Sequence, residues 1–172
     1  MGREVRRVPP NWEHPKKPCG NYQPMFDETA TEGFNEWLED YQEFIKSELP
    51  EMADEHEYDI SDPFSAFCDW DGGPPDAQYY RPHWGESKAT WYQVYETVSE
   101  GTPVTPPFET QEELIDYLAK NGDFWDQKRQ KQGRVDCGPW PLDRAERFVK
   151  GTQWAPSFAI IGGKVMSGVE AL

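Results

Sequence analysis

The strongest pattern of apolar positions in the chain follows Thr29 and has the spacing of an amphipathic helix. Thr29 and Glu32 are placed to form a capping box at its first turn, and Leu49-Pro50 is expected to end it. The sequence therefore predicts a helix with one apolar face and a charged surface elsewhere. The apolar face consists of Phe34, Trp37, Leu38, Tyr41, Phe44 and Ile45.

Three later segments also have the start and stop signals of helices. A second capping box, Thr110 with Glu113, begins a helix that should stop at Asn121-Gly122. Asp123 is placed to cap a further helix over 124–131, and 143–150 predicts a short last helix.

Three segments have the character of β-structure. Aromatic and β-branched residues at 89–98 predict a strand, and the proline-containing stretch 102–108 predicts a short edge strand. Two apolar runs across Gly162-Gly163 predict a hairpin over 157–166. Helices and hairpins that follow one another in separate groups favour an α+β fold with a short antiparallel sheet and three to four helices.

The predicted organisation is a single small domain preceded by an arm. Prolines in residues 1–28 block regular helix, so this stretch is expected to be an extended N-terminal arm. Residues 29–172 are expected to form one acidic domain, with an irregular excursion at 50–88 that contains a short helix near 63–68. The expected core residues are Trp37, Leu38, Tyr41, Phe44, Trp91, Val94, Leu114, Leu118, Phe148 and Ile160.

Charge is concentrated in one part of this chain, whose net charge is −15. Residues 27–76 contain seventeen acidic side chains and one basic side chain, Lys46. Such a segment repels nucleic acid and favours basic partners. The N-terminus is basic without the apolar stretch of a signal peptide, and no apolar run reaches the length of a membrane span, so we expect a cytoplasmic protein without membrane contact.

Two stretches of sequence are distinctive. The segment 91–104 reads WYQVYETVSEGTPV, and the segment 3–9 reads REVRRVP. Together with Pro107-Phe108, the EEL run at 112–114 and residues 165–169, they resemble a group of small, uncharacterised proteins of tailed bacteriophages. The resemblance covers about half the chain and is weakest at 27–76. It implies a phage accessory protein made in the cytoplasm of a bacterial host, and it assigns no catalytic residue.

Candidate residues for chemistry are few. Phosphate-binding loop motifs and the usual hydrolase motifs are absent from the sequence. Cys68 and His83 are a candidate pair for nucleophilic catalysis, although a buried, inert cysteine is the simpler interpretation. Zinc ligands would come from His14, Cys19, Cys68, His83 and Cys137, but none of them forms the close pairs of structural zinc sites. Calcium ligands would come from Asp54, Glu55, Glu57, Asp59 and Asp62, which do not match an EF-hand. We therefore expect no cofactor.

Basic residues beside aromatic ones point to a further candidate surface. A basic cluster accompanies Trp125 and Trp140, but the net charge predicts weak direct binding to nucleic acid. The cluster consists of Lys128, Arg129, Lys131 and Arg134.

The leading hypothesis is a non-enzymatic protein that inhibits or redirects a basic host protein of nucleic-acid handling or defence by imitating the phosphates of a nucleic acid. Two alternatives stay open: a small hydrolase or transferase that uses Cys68/His83 or a metal, and a virion or interaction component in which the acidity only confers solubility. The sequence leaves the oligomeric state open. The predicted partner-binding residues are Glu32, Glu36, Glu39, Asp40 and Glu43.

Overall fold

A computed structural model describes residues 2–47, 61–85, 87–97, 101–135 and 137–172. The chain falls into two compact units, one of Met1–Met25 with Trp84–Leu172 and one of Phe26–His83. The α+β class expected from the sequence is confirmed. The division into an arm at 1–28 and a domain at 29–172 stays a prediction. Among the described residues, no helix combines the length and the apolar character that a bilayer crossing requires.

The unit of Met1–Met25 with Trp84–Leu172 is built on a four-stranded antiparallel sheet. Its strands are β1 (Arg3–Val8), β4 (Trp91–Glu96), β5 (Thr102–Pro103) and β6 (Trp154–Ala155). Their order in the sheet is β5-β4-β1-β6. The predicted strand at 89–98 is confirmed as β4, and the predicted edge strand at 102–108 is reduced to the two residues of β5.

Strand β1 lies inside this sheet although its sequence, REVRRV, carries three arginines. Each arginine has its own partners. Arg3 pairs with Asp123, and Arg6 pairs with Glu4 and covers the ring of Tyr95 at 4.5 Å. Arg7 stacks on the ring of Tyr92 and donates to its hydroxyl. Part of the predicted arm is therefore an interior strand, because buried guanidinium groups are tolerated where carboxylates and aromatic rings meet them.

Three helices of this unit follow the predictions closely. The predicted capping box at Thr110 is formed, and Asp123 caps the next helix as predicted, with Asp126 completing a capping box there. The last predicted helix begins at Leu142 and widens after Glu146 into a π-helical turn over Arg147–Thr152. Val94, Leu114, Leu118 and Phe148 are fully buried in one apolar cluster, and Trp91 is half-buried. The helices are α3 (Gln111–Asn121), α4 (Phe124–Lys131) and α5 (Leu142–Glu146).

The predicted hairpin is confirmed as β7 (Phe158–Ile161) and β8 (Lys164–Ser167). Gly162 and Gly163 both have positive φ, as a tight two-residue turn requires. The expectation that Ile160 belongs to the core is wrong, since Ile160 is 64% exposed. The reason is that β7 and β8 pair with each other in a separate two-stranded sheet.

Within residues 26–47 and 61–83, the described part of the second unit, there are two helices, α1 (Ala30–Lys46) and α2 (Pro63–Trp70). The capping box at Thr29 is formed, and the predicted end of α1 at Leu49-Pro50 lies outside the described residues. A short 3₁₀ turn, Ala77–Tyr79, leads into a parallel pair of strands, β2 (Phe26–Thr29) and β3 (Tyr80–Arg81). The core is almost entirely aromatic: Trp37, Phe44 and Phe67 are buried, and Leu38 and Tyr41 are half-buried beside them.

Candidate functional site

All five predicted partner-binding residues lie on α1 with exposed side chains. With 3.6 residues per turn, positions 32, 36, 39, 40 and 43 share one stripe along the helix, about 100° wide. The buried residues Gly33, Trp37 and Phe44 lie on a different face. The helix thus presents its carboxylates together, over an axial length of about 16 Å.

Like charges interact at the start of this stripe. Burial, together with the nearby carboxylates of Glu36 and Glu32, raises the pKa of Glu28. Burial, together with the nearby carboxylates of Glu28 and Glu36, raises the pKa of the Tyr80 hydroxyl. The Thr29 backbone and hydroxyl, with help from Arg81 and His83, lower the pKa of Glu32. The negative charge of the stripe therefore contributes to the raised pKa values of Glu28 and Tyr80.

Glu32 has a structural role that sets it apart from the other four residues. Its carboxylate accepts hydrogen bonds from the Thr29 backbone N–H at 2.7 Å and from the Thr29 hydroxyl at 2.8 Å. It also lies 4.0 Å from the Arg81 guanidinium. Replacing Glu32 would disturb the first turn of α1, so a test of binding is better made at the other positions.

Aromatic rings accompany the acidic stripe in the same unit. Phe34 is 45% exposed and stacks on Trp37, and Phe64 and Trp70 are also about half-exposed. Half-exposed rings beside charge are common at protein–protein interfaces, where an aromatic anchor is ringed by polar groups. This unit therefore carries exposed carboxylates and exposed aromatic rings.

The negative charge of the protein belongs to this unit. The segment Phe26–His83 contains seventeen acidic and two basic side chains, and the rest of the chain contains fifteen of each. The net charge of −15 is thus the charge of Phe26–His83, while the other unit is neutral in formal charge.

The candidate catalytic pair is not joined by a hydrogen bond within the part of the chain that the structure describes. Cys68 packs against the aromatic core on α2, and His83 is exposed and lies near Glu32. Cys68 is a free thiol, as are Cys19 and Cys137. The simpler interpretation of Cys68, a packing residue, fits its position.

No group of three or more metal-binding side chains is found among residues 2–47, 61–85, 87–97, 101–135 and 137–172. His14 is buried and bonded at both ring nitrogens, to the Gln23 carbonyl and the Tyr95 hydroxyl. Asp62 caps α2, and its carboxylate accepts from the backbone N–H groups of Phe64 and Ser65. The other calcium candidates, at 54–59, lie outside the described residues.

The neutral unit contains a cleft of about 700 Å³ that is rich in arginine. Its floor is a buried network in which Arg3 donates to Asp123 at 2.6 Å. Asp123 also accepts from the backbone N–H of Asp126, and the Asp126 carboxylate accepts from the Trp140 indole at 2.7 Å and from Arg129 at 2.7 Å. Burial opposes the charge of Arg129, but the Asp126 carboxylate outweighs it and raises the pKa of this guanidinium.

Sequence reasoning found only part of this cleft. The basic cluster around 128–134 contributes Arg129 and Arg134, whereas Arg3 and Arg144 come from the first strand and the last helix. A local pattern does not bring such distant positions together.

Comparison of the chain with protein-family models, with curated proteins and with solved structures found no match.

Proposed function

We propose that this protein is a non-enzymatic binding protein that recognises a basic, nucleic-acid-binding protein through the acidic stripe of α1. The observation that carries the proposal is the display of five exposed carboxylates on one face of one helix. Five charges over about 16 Å of helix approach the spacing of phosphates along one strand of B-DNA, about 3.4 Å. The surface of the partner that complements the acidic stripe is then the surface with which the partner binds phosphates.

The resemblance to phage proteins supports a specific setting for this activity. The partner is a host protein of nucleic-acid handling or defence, encountered in the bacterial cytoplasm, and occupation of its nucleic-acid groove inhibits or redirects it. Exposed rings such as Phe34 and Trp70 take the place of the bases of a nucleic acid, because they offer the partner apolar contact. Association is therefore expected to be fast and strongly weakened by salt.

The test compares two pairs of substitutions that change the net charge equally. Glu36→Gln with Glu43→Gln removes two negative charges from the stripe. Glu109→Gln with Asp116→Asn removes two negative charges from exposed positions of the other unit. Both variants differ from the wild type by +2 in net charge. A difference in binding between them therefore shows the effect of where the charge is changed and not of the total charge.

Each variant is used to capture partners from bacterial lysate, and the partner captured by the wild type is then purified. We expect the Glu36/Glu43 pair to weaken binding by about tenfold or more, and the Glu109/Asp116 pair to have a much smaller effect. Duplex DNA should compete with the wild type for the partner. Equal weakening by both pairs, or binding that DNA does not compete, would show that the stripe is only solvated surface.

A further inference from the structure

A second cleft of the neutral unit, separate from the one rich in arginine, has a volume of about 740 Å³. It lies between the segment around Trp12, the stretch at 103–107 and the helices α3 and α4. A cleft of this size is typical of sites for small organic ligands. Four aromatic side chains line it, those of Trp12, Tyr22, Tyr117 and Phe124.

Phe124 gives this cleft a ring on which a flat ligand can stack. It is the first residue of α4 and is 51% exposed. Its ring meets the ring of Trp125 in a T-shaped arrangement with the ring centroids 5.2 Å apart, a contact that restrains it. Exposed aromatic side chains of this kind bind flat heterocycles by stacking. Gln127, three residues later on α4, lies on the same side of the helix and also lines the cleft.

The side chains of Gln127 and Tyr117 place a hydrogen-bond acceptor and a hydrogen-bond donor next to each other. Gln127 Nε2 donates to the Tyr117 hydroxyl at 3.0 Å and to the Gly122 carbonyl at 3.3 Å. Because a carbonyl only accepts, the contact with Gly122 fixes the orientation of the amide. Within the described part of the chain, no donor reaches Gln127 Oε1 and no acceptor meets the hydrogen of the Tyr117 hydroxyl. Both groups are therefore available to a ligand.

The floor of the cleft is buried and held by hydrogen bonds. Thr105 is 7% exposed, and its hydroxyl accepts from the Val94 backbone N–H at 3.0 Å. The Thr105 carbonyl accepts from the Gln93 side chain at 2.8 Å, and His14 is bonded at both ring nitrogens. These bonds order the floor before a ligand enters, which lowers the entropy cost of binding. The Thr105 hydroxyl keeps its hydrogen as a second donor.

We propose that this cleft binds a small molecule of nucleoside size whose flat heterocyclic ring carries an N–H group beside a carbonyl group. The Tyr117 hydroxyl donates to the carbonyl of the ligand, and Gln127 Oε1 accepts from its N–H group. The ring of the ligand stacks on Phe124. Because one heterocyclic ring leaves most of the 740 Å³ empty, the remaining space takes a polar substituent such as a sugar, to which the Thr105 hydroxyl donates.

The test is a titration of the isotope-labelled full chain by two-dimensional NMR, with uridine and inosine as probes. Both are uncharged, and the base of each carries an N–H group beside a carbonyl. The controls are 3-methyluridine and 1-methylinosine, which keep the ring and lose that N–H group. At least one probe should shift the backbone signals of Val104, Thr105 and Gln127. It should bind at least about fivefold more tightly than its methylated counterpart, the effect of one hydrogen bond.

Two results would overturn the proposal. One is the absence of these shifts with both probes at about 20 mM, a concentration that reveals millimolar dissociation constants. The other is equal binding of each probe and its methylated counterpart. A polyproline peptide is titrated in parallel, because grooves lined by aromatic rings also bind such peptides. Shifts with the peptide and with neither probe would assign the cleft to a peptide partner instead.

Gln127→Met removes the proposed acceptor and keeps the length of the side chain. The preference for a probe over its methylated counterpart should then disappear, because only the probe donates an N–H group to Gln127. A purely structural effect would weaken both ligands and leave the ratio of their affinities unchanged. Gln130→Met is the control and should keep the full preference, since Gln130 is exposed on the same helix and lines the arginine-rich cleft. A preference that survives in Gln127→Met would refute the proposal.

Phe124→Ala tests the stacking contact. It should weaken the binding of a probe and of its methylated counterpart alike, by about tenfold, as for the loss of one stacked base. Phe158→Ala is the control, because Phe158 is 62% exposed on β7 and lies outside the lining of the cleft. Equal effects of these two substitutions would contradict the stacking contact. The variant Glu36→Gln with Glu43→Gln should keep nucleoside binding, so failure of the cleft and failure of the acidic stripe are distinguishable.

Discussion

Removal of Asp123 should strongly destabilise this protein. The side chains of Arg3 and Asp123 are only 3% and 2% exposed, and their atoms lie 2.6 Å apart. Asp123→Ala leaves the Arg3 charge buried without this partner, a change that costs about 3–5 kcal/mol. It also removes the N-cap of α4, which contributes about 1 kcal/mol. Against a usual stability of about 5–15 kcal/mol, this loss is severe.

The assay is urea unfolding followed by circular dichroism, with hydrogen exchange in β1 and α4 to identify the unit that opens. Asp123→Asn keeps an oxygen at the cap and should cost about 1 kcal/mol less than Asp123→Ala, because the cap is retained while the buried Arg3 charge still loses its carboxylate partner. Asp143→Ala is the control, since its ion pair with Arg147 is exposed (side chains 74% and 59%) and should contribute less than about 1 kcal/mol. A loss for Asp123→Ala no larger than that of the control would refute the reasoning.

Two further predictions concern a buried histidine and a close helix contact. Burial, and to a lesser extent the charge of Arg6, lowers the pKa of His14 against the opposing effect of the Gln23 carbonyl. The unfolded chain therefore takes up this proton at a higher pH than the folded protein, and stability should fall as the pH drops through about 6.5. The measurement is the free energy of unfolding at pH 7.5 and at pH 5.5, about one unit above and below the ordinary pKa of histidine. The difference between these two free energies should be smaller for His14→Gln than for the wild type, and an equal difference in both proteins would contradict this. A Cβ atom at Gly33 would overlap the ring of Tyr80, so Gly33→Ala should cost about 1–3 kcal/mol in urea unfolding. The cost should disappear in a Tyr80→Ala background, and a cost that persists there would assign it to another cause.

The sequence by itself determined the local elements of this protein. The capping boxes at Thr29 and Thr110, the helix that Asp123 caps and the hairpin at Gly162-Gly163 were all predicted and are all formed. Each depends on residues within a few positions of one another, through hydrogen bonds to the first turn or through a positive φ that glycine adopts without strain. The exposure of the acidic residues on α1 followed in the same way from the helical period.

Only the tertiary structure decided which charges are buried and which apolar residues stay exposed. Three arginines in six residues argue against an interior strand, yet β1 lies between β4 and β6 because partners such as Asp123 and Tyr95 meet its guanidinium groups. Conversely, the apolar run of β7 leaves Ile160 exposed because β8 is its only strand partner within the described chain. The free energy of burying a side chain depends on what surrounds it in space, and those neighbours lie far away along the chain.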